Sequence, residues 1–408
     1  MDAATVKPKS TFVLAAGSAM TFVVLFGFIS LFSDMTYEGA RSLSGQYLKI
    51  LGASATAVGF AAGAGELLGY ALRLVSGHVA DRTKRYWLIT ITGYTVQLFS
   101  VPLLALTGRW EWAFVLLLTE RIGKAIRNPS RDAMLSYATK QMGRGFGFGL
   151  HEAMDQIGAF LGPIIVAAVL FLRGGLQDDA AAHRAGFAVL LVPALIALIL
   201  LQFARLRFPR PGELESKTPV VSTKGFSRRY WLYLIGAGLI AAGYADFALI
   251  NYHFKTIALA PDRWLPILFA VAMAVDAVAA IVFGTLYDKK GFPILIGAFS
   301  LSALFAPFAF LGNLPLALVG VGLWGIGMGI QESIMRAVIA DLVPSDRRAF
   351  GYGLFHFSFG IMWFLGSALM GFLYDQAVIY IVIFSLVAQF AALGVFSLVR
   401  RQAAAGGY

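Results

Sequence analysis

The chain has 408 residues, of which 59% are hydrophobic and only 13% charged, whereas soluble domains run near half apolar and a quarter charged. That composition and a mean hydropathy of +0.75 argue against a soluble protein, and the absence of cysteine excludes a disulfide framework, a thiolate metal site and a Cys nucleophile. A net charge of +11 would suit a nucleic-acid binder, but the basic residues sit in short gaps between apolar runs, as membrane topology requires, so no nucleic acid is expected.

An apolar run of about 20 residues can cross a bilayer. It must do so as a helix, because lipid offers no partner for backbone N–H and C=O groups. Twelve such helices are predicted in chain order. Six lie near 17–48, 56–77, 86–107, 112–137, 145–172 and 185–204, and six near 230–256, 263–285, 293–311, 315–341, 349–374 and 377–399. The first run has no small-residue cleavage site and is long enough to remain as a spanning helix. Residues 205–229 carry seven basic residues and three prolines and read as a solvated linker with a surface helix. The predicted units are therefore 1–204, a cytoplasmic linker 205–229, and 230–408. Of the 33 Lys and Arg residues, 20 fall in the termini, the linker and one alternate set of loops, six in the other set, and seven inside helices. The positive-inside rule then places both termini and the linker in the cytoplasm of a multi-pass inner-membrane protein.

The chain repeats itself at half its length. Phe146-Gly147-Phe148-Gly149-Leu150 returns 204 residues later as Phe350-Gly351-Tyr352-Gly353-Leu354, and Phe160-Leu161-Gly162 as Phe364-Leu365-Gly366. An offset of 207 carries Gly77 and Asp81 onto Gly284 and Asp288. Two related helical units side by side are a common transporter plan. The segments around Gly77, Asp81 and Arg82 and around Gly284 and Asp288 share a pattern of Gly, three residues, Asp and a basic residue. This resembles the cytoplasmic loop motif of the major facilitator superfamily. The glycines would permit close helix approach, and the Asp would oppose a neighbouring helix N-terminus, so the contact could latch one rocking state. Lys84 stands where that motif usually has glycine. Gly158, Gly162 and Pro163 resemble the Gly-x-x-x-Gly-Pro core carried by proton-coupled exporters of the same superfamily, although the trailing glycines are replaced near Ile165 and Val166. The resemblance implies an all-α membrane protein, with twelve transmembrane helices in two pseudo-symmetric six-helix bundles around a central cavity, working by alternating access.

Charges inside spanning helices are costly and mark function. Asp34, Glu38 and Arg41 share one stripe of the first helix, Glu66 and Arg73 one of the second, and Lys124, Arg127 and Arg131 one of the fourth. Glu152 and Asp155 follow on the fifth. The second half has few charges, among them Asp246, Asp276, Glu332 and Arg336, and offers aromatics and amides instead. Glu120–Lys124 and Glu332–Arg336 have favourable i,i+4 spacing. Asp34 and Asp246 each follow an aromatic by two positions and are read as repeat mates able to carry a proton, the alternative for Asp34 being a static pair with Arg41 or with an arginine of a neighbouring helix. Lys124 and Arg127 could hold an anionic group, the alternative being neutralisation by Glu120, Glu152 or Asp155. Arg131 and Asp132 are assigned to the loop latch.

His253 and His356 lack ligand spacing, so no metal is expected. There is no Walker-type loop, dinucleotide fingerprint or nucleophile elbow, so no cofactor or catalysis is expected. The predicted function is secondary transport of a small amphipathic or anionic molecule, with protons as coupling ion and export as direction, by a monomer in lipid. Uptake of an organic anion by symport and a lipid flippase are the alternatives.

Overall fold

The structure, a computed structural model, describes residues 9–142, 144–173, 179–209, 226–343 and 348–405. These form helices and short connections. The first half comprises α1 (Lys9–Ile50), α2 (Ala55–Thr83), α3 (Tyr86–Leu103), α4 (Trp110–Met142), α5 (Arg144–Arg173), α6 (Asp179–Val189) and α7 (Leu191–Arg207). The second comprises α8 (Arg228–Gly243), α9 (Phe247–Thr256), α10 (Leu265–Lys290), α11 (Phe292–Ser302), α12 (Phe305–Leu311), α13 (Leu314–Glu332), α14 (Ile334–Leu342), α15 (Arg348–Gln376) and α16 (Val378–Ala405).

Among the described residues, 11 helical stretches are long and apolar enough to cross a membrane. The predicted span 112–137 is the exception. It is one continuous helix of 33 residues, α4, but Glu120, Arg121, Lys124, Arg127, Arg131 and Asp132 make it too polar to face lipid. It is shielded by packing against α2 and α3. Linker residues 210–225 lie outside the described residues, and α7 runs past the predicted boundary to Arg207.

Several expected single spans are broken. The span at 230–256 divides at Tyr244–Asp246, where Asp246 caps α9 by accepting from the Ala248 N–H at 2.9 Å. The carbonyls freed there find side-chain donors, as a dry interior demands. Trp324 Nε1 donates to Ala245 O at 2.8 Å, and Ser385 Oγ to Gly243 O at 2.6 Å. The span at 315–341 divides at Ser333 into α13 and α14.

The duplication is visible in packing. α5 lies against α1, and α15 against α8. A Cβ added at Gly158 would collide with the Leu31 carbonyl, and one at Gly162 with the Met35 carbonyl. Gly366, the repeat mate of Gly162, meets the Ala242 carbonyl in the same way. Met35 and Ala242 are therefore equivalent, at the offset of 207 that also relates the loop motifs. This corrects one expectation. The counterpart of Asp34 is Ala241 and that of Asp246 is Gly39, so the two carboxylates are not repeat mates. Their shared sequence context was local and did not follow the helix register.

The same offset pairs Lys84 with Gly291, and both end their helices with positive φ, 56° and 67°. Lys84 sits in the left-handed helical region with ψ 15°, at a steric cost of order 1 kcal/mol, whereas Gly291 has ψ −150°. Lys84→Gly is expected to raise stability by about 0.5–1 kcal/mol, read as a higher melting temperature of the purified protein. An unchanged or lower melting temperature would mean that the lysine side chain contributes more than the strain costs.

Candidate functional site

The helices enclose a cavity of about 390 Å³. On one wall stand Asp34, Glu38 and Arg41 of α1, Glu66 and Arg73 of α2, Lys124, Arg127 and Arg131 of α4, and Asp155 of α5. The stripes expected from helical spacing thus converge on one space. The facing wall comes from the second half and is mainly apolar: Met273, Met328, Phe355, Phe359 and Trp363, with Asp276, Gln331, Glu332 and His356 among them. Asp246 is not on this wall. It borders a smaller space of about 50 Å³ on the other side of Arg41.

Most charges are paired, which low-dielectric surroundings require. Arg121 Nη1 meets Glu66 at 2.7 Å and Arg131 Nη2 meets Asp132 at 2.8 Å. Arg41 lies 3.7 Å from Glu38 and 3.4 Å from Asp246, so it pairs across the two halves and not with Asp34. Asp34 instead lies 3.9 Å from Arg127.

Other expectations change as well. Arg127 is fully buried, with Nε donating to Gln97 Oε1 at 2.5 Å and Nη1 to Tyr94 at 3.1 Å. Those bonds hold it in place on the cavity wall, and its Nη2 is left without a hydrogen-bond partner. The i,i+4 pair of Glu120 and Lys124 does not form. Glu120 accepts from Gln97 at 3.0 Å and lies 3.6 Å from Arg121, while the Lys124 ammonium sits 3.7 Å from the Tyr37 ring centroid. The reason is competition, since a guanidinium and a buried amide reach Glu120 first. Arg131 and Asp132 border the cavity and are not confined to the loop latch. Close approach does not explain the motif glycines: Gly77 makes only ordinary contact with Pro129, and Gly284 faces open space. Arg82 is exposed in the last turn of α2. The side chains of Asp81, Glu152, Asp288 and Arg336 lie outside the described residues. Pro163 stands inside α5, which continues through it.

The cavity is shut at the end where α1 turns into α2. Gly45 meets the Ala248 carbonyl, Gly59 the Ser367 carbonyl and Gly371 the Ala55 carbonyl, each too closely for a Cβ. Asn251 Nδ2 donates to Ser42 O at 2.6 Å, and Lys49 to the Tyr252 hydroxyl at 3.3 Å. Lys255 bridges Asp179 at 2.8 Å and Asp262 at 2.5 Å. Asp375, at the end of α15, accepts from the backbone N–H groups of Ala55 and Thr56 at 3.0 and 2.8 Å and so caps α2 of the other half. Its repeat mate, Phe171, instead stacks edge-on to Trp264 at 5.4 Å. One seam between the halves is ionic and the other aromatic.

Sequence reasoning missed Tyr37, Tyr94, Gln97 and Asp375. Gln97 and Tyr94 are three apart on α3, a spacing that points both at α4. Asp375 carried no local signal, because its partner is 319 residues away. Among the described residues, no group of three or more His, Asp or Glu could hold a metal.

Known proteins share this build. The chain is 39% identical over 382 residues to an uncharacterized protein of Mycobacterium tuberculosis (strain ATCC 25618 / H37Rv), covering 92% of each. It is 24% identical over 365 residues to an uncharacterized MFS-type transporter of Methanocaldococcus jannaschii, covering 86% of this chain and 88% of that one. The fold matches a bacterial homolog of the human lysosomal transporter Spinster in an inward-facing, unoccupied conformation, with a TM-score of 0.72 at 14% identity over 94% of this chain and 98% of that one. It also matches the nucleoside transporter NupG, with a TM-score of 0.72 at 14% identity over 92% and 99%. The profile of the Major Facilitator Superfamily aligns with residues 10–367. A duplicated helical chain, a polar cavity between its halves and a match over most of its length lead to one assignment: this protein belongs to the Major Facilitator Superfamily.

Proposed function

We propose that the protein is a secondary transporter that moves a small amphipathic or anionic molecule by alternating access, with protons as the coupling ion and export as the direction. The observation that carries this reading is a cavity walled by both halves and shut at one end by contacts between them. The seals are glycine-to-carbonyl contacts and exposed or partly buried ion pairs, which can separate and re-form without unfolding a helix. The two units, 1–204 and 230–408, rock about the cavity, and the basic loops put the shut end on the non-cytoplasmic side. The molecule acts as a monomer.

Asp34 is the proton-carrying group in this scheme. Its side chain keeps 17% of its exposure, against 3% for Asp246, so water and protons reach it from the cavity. Its ion pair with Arg127, at 3.9 Å, is also the longest in the cavity. The test is reconstitution into proteoliposomes with an imposed pH gradient. Acid inside should drive solute inward against the outward proton flow of an exchanger, whereas a symporter would move both out together. Asp34→Asn is expected to lower gradient-driven flux by tenfold or more, about 1.4 kcal/mol in the coupling step, while solute binding persists. Full gradient-driven flux in that variant removes Asp34 from the mechanism.

A further inference from the structure

The cavity lining holds seven carboxylates and six cations, so its cations are distinguished by local pairing and not by the overall count. Six basic side chains reach it: Arg41, Arg73, Arg121, Lys124, Arg127 and Arg131. Four have a carboxylate within 4.0 Å, as described above. Arg73 and Lys124 do not, among the described residues. Arg73 lies 5.0 Å from the Tyr70 ring centroid, and its Nε is buried without a hydrogen-bond partner. Lys124 lies 3.7 Å from the Tyr37 ring centroid, and Asp34 and Glu38 act on it only from beyond 4.0 Å. A cation–π contact compensates a partly desolvated cation less than a close carboxylate does. Both cations therefore lack a close carboxylate, stand on neighbouring helices and face the same space.

The opposite wall limits what the anion can be. Met273, Met328, Phe355 and Phe359 would be left against water by a bare inorganic ion, and burying them against an apolar solute is favourable. Trp363 Nε1 is buried on this wall without an acceptor, so it can donate to a polar atom of the solute. The cavity volume of about 390 Å³ suits a small organic molecule.

We propose that the transported class is an organic anion with an apolar or aromatic body. Its anionic head sits between Arg73 and Lys124, and its body lies against Met273, Met328, Phe355 and Phe359. This rests on the transport reading for its role, but not for its binding. Arg73 and Lys124, rather than the enclosed Arg127, select the charge of the solute. Arg forms two parallel hydrogen bonds to a carboxylate or phosphate, and Lys adds a point charge.

The test uses the purified full-length protein and three probes of one shape: phenylbutyrate, its uncharged amide phenylbutyramide, and the cation phenylbutylamine. A binder raises the melting temperature with concentration. Phenylbutyrate is expected to do so, and the amide and amine are not. Arg73→Gln and Lys124→Gln should each weaken the response by about tenfold or more, Arg73→Lys and Lys124→Arg should restore most of it, and Arg205→Gln on the exposed face of α7 should leave it unchanged. Equal shifts from the amine or the amide overturn the proposal, as does a phenylbutyrate response that survives both substitutions, or no response to any probe at millimolar concentration. Proteoliposomes separate the two readings. Binding of the anion without flux overturns transport and leaves the anion site standing. Flux of a cationic or neutral solute by a protein that ignores phenylbutyrate overturns the anion site and leaves transport standing.

Discussion

Replacing Gly59 by leucine is expected to abolish transport while leaving a folded protein. Gly59 of α2 lies against the Ser367 carbonyl of α15, where even a Cβ cannot fit. The obstacle is backbone on a second helix, so no rotamer change can relieve it. Overpacking of this kind costs about 1–3 kcal/mol. Here the cost falls on one conformation only, the one shut at this end, so the balance moves toward the opposite state by roughly fivefold to 150-fold. Helix α2 itself gains, because leucine is a better helix former than glycine. The chain contains no cysteine, so one introduced thiol reports without background. Ser44, which is buried beside the small space next to Asp246, becomes the probe as Ser44→Cys. An impermeant maleimide added from the side of the α1–α2 turn should label it readily with Gly59→Leu and slowly without. Unaltered labelling together with unaltered flux would show that this seal does not have to close during transport.

Asp246→Asn is expected to lower flux by tenfold or more while α9 stays intact. Asp246 has two duties that this substitution separates. Its carboxylate caps α9 through the Ala248 N–H and also meets Arg41 of the first half at 3.4 Å. Asparagine caps helices as well as aspartate does, but it carries no charge for Arg41. Losing one partner of a buried pair costs about 3–5 kcal/mol, and Glu38, which remains 3.7 Å from Arg41, lowers that figure. Asp246→Ala removes the cap as well and should lose about a further 0.5–2 kcal/mol of stability. Adding Arg41→Gln to Asp246→Asn removes the stranded charge and should recover part of the melting temperature. If the losses of the two single variants simply add in the double variant, the pair is not coupled and this account of the contact fails.

Helix number, the duplication and the charged stripes were legible along the chain, because each depends on spacing within one segment. Apolar length is enough for a span, and i, i+4 and i+7 spacing is enough to put Asp34, Glu38 and Arg41 on one face. Charge partners were not legible in the same way. Arg41 pairs with a residue 205 positions away, and Arg127 with two side chains on α3. Glu120 and Lys124 sat at ideal spacing yet separated, since a local rule worth about 0.2–0.5 kcal/mol gives way to a buried amide and a neighbouring guanidinium. Asp34 and Asp246 looked alike in sequence and differ in register, because equivalence between repeats is set by where Gly162 and Gly366 touch the facing helices.

Composition, periodicity and the basic loops were therefore sufficient for a twelve-helix transporter fold in lipid and for one charged wall, since those properties are summed over many residues and tolerate local exceptions. Which cations remain open to solute, which end is shut and what seals it arose only when the halves met. Such contacts depend on ångström-scale distances between residues hundreds of positions apart, and no pattern within a single helix encodes them.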